Sequence, residues 1–86
     1  MSYSVNWAPA YNDLNEIDSE NRKRIIKKVG SIVDDPYHFV DRLSGLPYFK
    51  LRVGDYRIVI DVKDRELVIV LVGHRSKVYQ ELKRRN

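Results

Sequence analysis

The chain has no cysteine. That excludes disulfides and thiolate metal sites and fits a reducing cytoplasm. It has two histidines, His38 and His74, and scattered carboxylates that match no metal-ligand spacing, so no metal or other cofactor is expected. His38 reads as a surface residue. The four glycines form no phosphate-cradling loop, and no Gly-x-Ser-x-Gly elbow is present, which removes two large classes of nucleotide-binding and hydrolytic sites. The longest apolar run covers residues 67–72, far short of the roughly 20 residues that span a bilayer, so no membrane partner is expected. The opening residues carry no basic segment followed by an apolar run, so no secretory signal is expected. Cations are also missing from residues 1–21.

What is present is a short, basic chain. Its 86 residues suffice for one domain, residues 1–86, with nothing left for a second. A chain of this size buries roughly 60–70% of its unfolded surface and has a stability of about 4–13 kcal/mol. The formal charge of +4 is unevenly placed: residues 1–21 carry −4, and residues 22–86 carry sixteen cations against eight anions. A basic body suggests a polyanionic partner, nucleic acid first.

Residues 48–62 organise the rest. Phe49, Leu51 and Val53 alternate with Tyr48, Lys50 and Arg52. Tyr56, Ile58, Ile60 and Val62 alternate with Arg57, Val59 and Asp61. Period-two alternation predicts two strands, each with one core face. Gly54-Asp55 is a good two-residue hairpin loop, because glycine accepts positive φ at the first position. That loop pairs Val53 with Tyr56 and Arg52 with Arg57. Two arginines then face each other on one side of the sheet, with Lys50 one step along. Like charges directly opposite are unfavourable, so a fold gains nothing from the arrangement, whereas an anion-binding surface needs it.

Around this hairpin the chain reads in order. Residues 3–6 suggest a short strand. Trp7-Ala8-Pro9 opens a helix with Trp7, Tyr11, Leu14 and Ile17 at helical spacing. Asp18 or Ser19 caps a second helix with Ile25, Ile26, Val29, Ile32 and Val33 as its apolar stripe. Asp18 and Glu20 suit its positive end. Its cations Arg22, Lys23, Arg24, Lys27 and Lys28 lie mostly off that stripe, where a solvated face is the simpler reading than a contact with RNA or an acidic partner. Asp34-Asp35-Pro36 stops the helix, and residues 36–47 form a long connection with room for one short helical turn. Lys63-Asp64-Arg65-Glu66 is a polar turn. Residues 67–72, half of them valine, suggest a strand buried on both faces in the middle of the sheet. Ser76 is placed to cap a last helix carrying Val78 and Leu82, and residues 83–86 read as a frayed tail.

The expected fold is α+β: a small, mainly antiparallel sheet in β-α-α-β-β-β-α order with two helices packed on one face. Phe49, Leu51, Ile58, Ile60, Ile69 and Leu71 would meet those helices. The opposite face, left partly open, would carry Tyr48, Lys50, Arg52, Arg57 and His74. If Val62 pairs with Leu67, Arg57 falls near Val72, and His74 shares its parity. Alternation sends Arg75 to the other side, unless a bulge at Gly73 or the strand's end turns it back. Two unit charges 4 Å apart cost roughly 1 kcal/mol in water and about 4 at an effective dielectric near 20. Phosphate relieves that cost, and the planar guanidinium fork fits its oxygens. Tyr48, Tyr56 or Tyr79 can stack on bases, as in single-stranded RNA recognition. Against this, Arg52 has Asp61 and Asp55 as candidate partners, and Tyr48 is also suited to the rim of a core.

Leu43-Ser44-Gly45, then Tyr48-Phe49-Lys50-Leu51-Arg52-Val53-Gly54-Asp55-Tyr56-Arg57-Ile58-Val59, then Gly73-His74-Arg75-Ser76-Lys77-Val78-Tyr79 resembles the RelE toxins of the RelE/ParE superfamily over nearly the whole chain. The resemblance implies the toxin of a type II toxin–antitoxin pair. Its implied activity is a metal-independent endoribonuclease, an mRNA interferase cutting mRNA in the ribosomal A site, with the ribose 2′-hydroxyl as nucleophile. It also implies a cytoplasmic location and a small RelB-like antitoxin in a hetero-oligomeric complex. By position, Lys50 and Arg52 match basic strand residues and Arg57 the transition-state arginine. Arg75 matches the arginine that protonates the leaving group, and Tyr79 the aromatic that orients substrate. Tyr48 stands where other members carry a lysine as general base, and a tyrosine near its ordinary pKa of about 10 is a poor base at neutral pH. That leaves His74 or Lys50 to take the proton, His74 because an imidazole titrates in the useful range. The expected RNA contacts are Tyr48, Lys50, Arg52 and Arg57, and the expected catalytic group is Lys50, Arg57, His74, Arg75 and Tyr79. The alternative implied by the same scaffold is a ParE-like toxin that binds DNA gyrase and cuts no RNA.

Overall fold

The structure, a computed structural model, describes residues 2–85. A five-stranded sheet carries the fold, made of β1 (Ser4–Asn6), β2 (Asp41–Arg42), β3 (Phe49–Val53), β4 (Tyr56–Lys63) and β5 (Glu66–His74). Spatial order is β1-β5-β4-β3-β2. β1 runs parallel to β5, and every other pairing is antiparallel. The helices are α1 (Tyr11–Asn15), α2 (Ser19–Ser31) and α3 (Val78–Arg85). This is the expected α+β architecture with one strand more: β2, a two-residue strand in the long connection, pairs with Phe49 and Lys50. A 3-10 turn at Pro36–His38 supplies the short helical turn there.

The hairpin forms as its loop dictates, with Val53 opposite Tyr56 and Arg52 opposite Arg57. Gly54 has φ +58° and Asp55 stays at negative φ, the pattern of a loop with glycine first. Asp18 caps α2: its carboxylate accepts from the Asn21 backbone N–H at 3.1 Å and from Asn21 Nδ2 at 2.9 Å. Those bonds, the side-chain one foremost, hold its pKa below the ordinary 3.8.

The main core joins Ile25 and Val29 of α2, and Ile32 at its C-terminal cap, to Leu51, Ile58, Ile60, Leu67 and Ile69 of the sheet, with Leu14 and Ile17 closing one end. Ile26 departs from the expected stripe and is exposed; Ile25, Val29 and Ile32 already fill the i, i+4, i+7 face, and Ile26 sits a sixth of a turn or more off it. The first helix is shorter than its spacing suggests. Ala8–Ala10 is a 3-10 turn, and only Tyr11–Asn15 is α-helical.

A β-bulge rearranges the second half of the sheet. Ile60 faces Ile69, but Val59 faces Leu71, which leaves Val70 unpaired. The extra residue reverses the alternation beyond it. Leu71 therefore leaves the face covered by α2 and joins Val59, Val78 and Leu82 in a second buried cluster. Arg57 faces Gly73, one place from the expected Val72, and His74 faces Tyr56. The opposite face of the sheet is consequently half covered. α3 lies on it through Val78 and Leu82, each 1% exposed. Gly73 permits the approach, because a Cβ there would meet Val78 at 3.3 Å. β5 is interior but β4 is the central strand.

The C-terminal residues are helical through Arg85, not frayed; Asn86 lies outside the described residues. Arg85 donates to both carboxylate oxygens of Asp13, at 2.8 and 3.1 Å, and ties α3 to α1. The Arg85 guanidinium has its pKa raised, first by those bonds.

Candidate active site: a cationic hollow beside the third helix

Where α3 stops covering the sheet, a hollow of about 430 Å³ remains, lined by Lys50, Arg57, His74, Arg75, Ser76 and Tyr79. β3 supplies Lys50, β4 Arg57, the end of β5 His74, and α3 Tyr79. All five residues expected in the catalytic group line this one depression. A larger hollow, about 520 Å³ along residues 42–47, has one cation, Arg42. Charge, not volume, distinguishes the two.

Each cation is held differently. Arg57 Nη1 donates to the Gly54 and Tyr56 carbonyls at 3.1 and 2.9 Å. These bonds aim the guanidinium without neutralising it, since carbonyl oxygens carry no net charge. Lys50 has no ion pair or side-chain hydrogen bond among the described residues. Arg75 is turned into the hollow because β5 ends at His74 and the Arg75 backbone N–H donates to the Asp55 carbonyl at 2.7 Å. That settles its direction by strand termination. Its Nε also lies 3.5 Å from Asp55 Oδ1, but both side chains are more than 60% exposed, a setting in which an ion pair contributes about 0–1 kcal/mol and yields readily to phosphate. Asp55 thus pairs with Arg75, and Asp61 with Lys63 at 3.7 Å; neither holds Arg52.

His74 enters the hollow by a route that alternation did not foresee. Its ladder position opposes Tyr56, with the rings edge to face at 5.8 Å. As the last residue of β5 it is turned by Ser76, whose backbone N–H donates to Nδ1 at 3.2 Å and whose Oγ lies 2.8 Å from the same nitrogen. A nitrogen that accepts from a backbone N–H carries no hydrogen of its own. In neutral His74 the hydrogen is therefore on Nε2, and the ring offers a donor there. Ser76 is the residue the sequence reading misplaced. Instead of capping α3 it fixes the imidazole, a role signalled only by the two-residue spacing from His74.

Two expected RNA contacts lie elsewhere. Tyr48 is half-buried against the second cluster, and its carbonyl accepts from the Leu43 N–H at 3.0 Å. Arg52 is exposed opposite Arg57, outside the lining. Among the described residues, no group of three or more His, Cys, Asp or Glu side chains is placed to hold a metal ion. No helix among them is long and apolar enough to cross a membrane.

Residues 7–79 match the family described as the ParE toxin of the type II toxin–antitoxin system parDE. The chain belongs to that family. Within the wider RelE/ParE superfamily it is a RelE-type toxin. It is 29% identical over 93 aligned positions to the mRNA interferase toxin RelE of Escherichia coli K12, covering 99% of this chain and 98% of the relative. The mRNA interferase RelE of Shigella flexneri matches equally. A mutant E. coli RelE in the free state superposes with TM-score 0.77 at 25% identity, over 99% of this chain and 98% of that one. The RelBE2 toxin–antitoxin complex of Mycobacterium tuberculosis gives 0.76 at 23% identity, over 87% of this chain and all of that one. The RelB–RelE complex of Methanococcus jannaschii gives 0.68 at 23% identity, over 91% and 96%. These likenesses place the RelE-type toxin's sheet and helices among solved folds.

Proposed function

We propose that this toxin is a ribosome-dependent mRNA interferase, an endoribonuclease that cuts mRNA in the ribosomal A site without a metal. The observation that carries the reading is one hollow holding Lys50, Arg57, Arg75 and the Nε2–H of His74, with a single, exposed carboxylate at its edge. An RNA phosphate is the group that such a set of donors accommodates.

In the reaction the 2′-oxygen attacks the adjacent phosphorus and gives up its proton. The phosphorus–5′-oxygen bond breaks, and the 5′-oxygen takes a proton. The products are a 2′,3′-cyclic phosphate and a 5′-hydroxyl, and no water is consumed. Arg57, aimed by two carbonyls, stabilises the charge on the equatorial oxygens; such preorganised donors are usually the largest contribution. Arg75 stands at the leaving oxygen. Because Ser76 occupies Nδ1, His74 donates through Nε2 to the phosphate or the leaving group, and the remaining acceptor for the 2′-proton is Lys50 as its neutral amine, which leaves the step as the ammonium. Tyr79 stacks on a base and aligns the chain. Tyr48, in the position of the family's lysine, packs against the second buried cluster and supports the fold there.

Mapping mRNA ends on ribosomes after brief induction tests the reading. Discrete cuts within A-site codons are expected, and Arg57→Ala lowers the cleavage rate by about 10²–10³ with the fold intact, by analogy with oxyanion donors. Uncut mRNA, or wild-type cleavage by Arg57→Ala, overturns it.

A ParE-like gyrase poison is the second reading, favoured by the family match over residues 7–79 and by Tyr48 in the base position. Induction that triggers DNA damage while translation continues selects it. Either reading brings a small antitoxin partner, as in the RelB–RelE complexes, with acidic residues facing Lys50, Arg52 and Arg57.

A further inference from the structure

A second hollow adjoins the cationic one. It measures about 290 Å³ and shares Lys50 and Tyr79 with it. Its other walls are mainly apolar, Leu43 and Leu46 on the loop before β3 and Leu82 on α3, with Ser44 and Lys83 completing the lining. The loop is built in advance. Leu43 N–H donates to the Tyr48 carbonyl at 3.0 Å, Leu46 N–H to the Leu43 carbonyl at 3.4 Å, and Gly45 turns the chain at φ +76°. Beneath lies the second core of Val59, Leu71, Val78 and Leu82, so the floor is fixed as well. The Ser44 hydroxyl makes no hydrogen bond among the described residues. A preformed apolar slot, aromatic on one side and with an uncommitted hydroxyl at its edge, fits a flat group with polar edges.

From this geometry we infer that the slot is a nucleobase subsite. It takes the base of the nucleotide next to the phosphate held in the cationic hollow, and the Ser44 hydroxyl reads that base's edge. The assignment rests on the RNA-cleaving reading only for the location of the phosphate. The two hollows meet at Tyr79, so a chain anchored on Arg57 and Arg75 crosses the Tyr79 ring on leaving. The next base then has a mainly apolar slot at hand, whereas the rest of the hollow is lined by Lys50, Arg57, His74, Arg75 and Ser76. Stacking and burial of a base strengthen binding roughly tenfold, enough to set which codons are cut. Sequence preference would accordingly reside in the loop at residues 43–46, apart from the cations that bind every phosphate alike.

The test uses the full-length protein with labelled leucine methyls. The probe is a trinucleotide carrying 2′-deoxyribose at the attacking position, which binds without being cut. Two analogues each lack one base, on one side of the scissile phosphate or the other. The intact probe should shift the methyls of Leu43, Leu46 and Leu82. Removing one of the two bases should abolish those shifts and weaken binding roughly tenfold, while removal of the other leaves the shifts in place. In cleavage of a pool of ribonucleotide substrates, Ser44→Ala should change the ranking of bases at that position. The subsite is overturned if neither abasic analogue differs from the intact probe, or if the three leucines stay unmoved while Lys50 and Arg57 respond. Absence of any cleavage by the wild-type protein counts against the nuclease reading alone, because the methyl shifts are read on an uncleavable probe.

Discussion

At the scale of single residues, the hairpin turn is the most sensitive point. Gly54 adopts φ +58°, and a Cβ built on it would stand 3.2 Å from a guanidinium nitrogen of Arg24. An alanine there meets two penalties. The left-handed backbone costs an L-residue about 1–2 kcal/mol, and the Arg24 side chain must retreat. Gly54→Ala should lower unfolding stability by at least that amount in urea denaturation. Gly30 is the control: it lies in α2 with nothing within 4 Å of its would-be Cβ, so Gly30→Ala should raise stability by about 1 kcal/mol. Equal effects of the two substitutions would mean that the turn is not held as described. The turn matters to function because Arg57 hangs from its Gly54 carbonyl. On the proposed nuclease reading, a strained turn should therefore slow cleavage more than its stability loss alone explains.

At the scale of elements, α2 shows how a local signal fixes a boundary. Asp18 accepts two hydrogen bonds from Asn21, and its carboxyl is held below the ordinary 3.8. A depressed folded-state pKa means that the contribution is complete above the unfolded value and disappears as pH falls through the folded one. Asp18→Ala should thus lower Tm at pH 7, and the gap between variant and wild type should close below pH 4. A gap that persists undiminished at lower pH would show that the charge of the cap is irrelevant. The same elements show what the sequence disclosed and what it hid. Hairpin register was legible because a two-residue loop permits one pairing. The α2 cap was legible because aspartate before a helix has one common use. The gathering of Lys50 and Arg57 followed from that register and the alternation of the two strands. Val70 left no comparable mark: in a run of six apolar residues an unpaired valine looks like any other, so the reversal that moves Leu71 to the far face was invisible. Once that face held Val59 and Leu71, α3 had a surface to cover, and Val78 and Leu82 became buried anchors. His74 was placed correctly in the hollow for a wrong reason: parity failed at the bulge, and Ser76 brought the ring back.

For the molecule as a whole, charge is divided by position. The first 21 residues carry −4, and one of those carboxylates, Asp13, is engaged by Arg85. The hollow beside α3 keeps Lys50, Arg57 and Arg75, with Asp55 the one carboxylate paired with them among the described residues. If three phosphate contacts form there, the logarithm of the RNA association constant should fall with the logarithm of salt concentration with a slope near −2, at about 0.7 per contact for a single strand. Lys50→Ala should reduce the slope by about 0.7 and weaken binding to all sequences alike. Lys23 lies on α2, which covers the other face, so Lys23→Ala should leave the slope unchanged. Arg52 decides how far the footprint extends: it faces Arg57 across the hairpin but lies outside the hollow's lining. A reduced slope for Arg52→Ala would extend the phosphate track across β3, and an unaltered one would confine it to the hollow. Equal changes for Lys23→Ala and Lys50→Ala would indicate general attraction to a basic protein, with no phosphate seated beside α3.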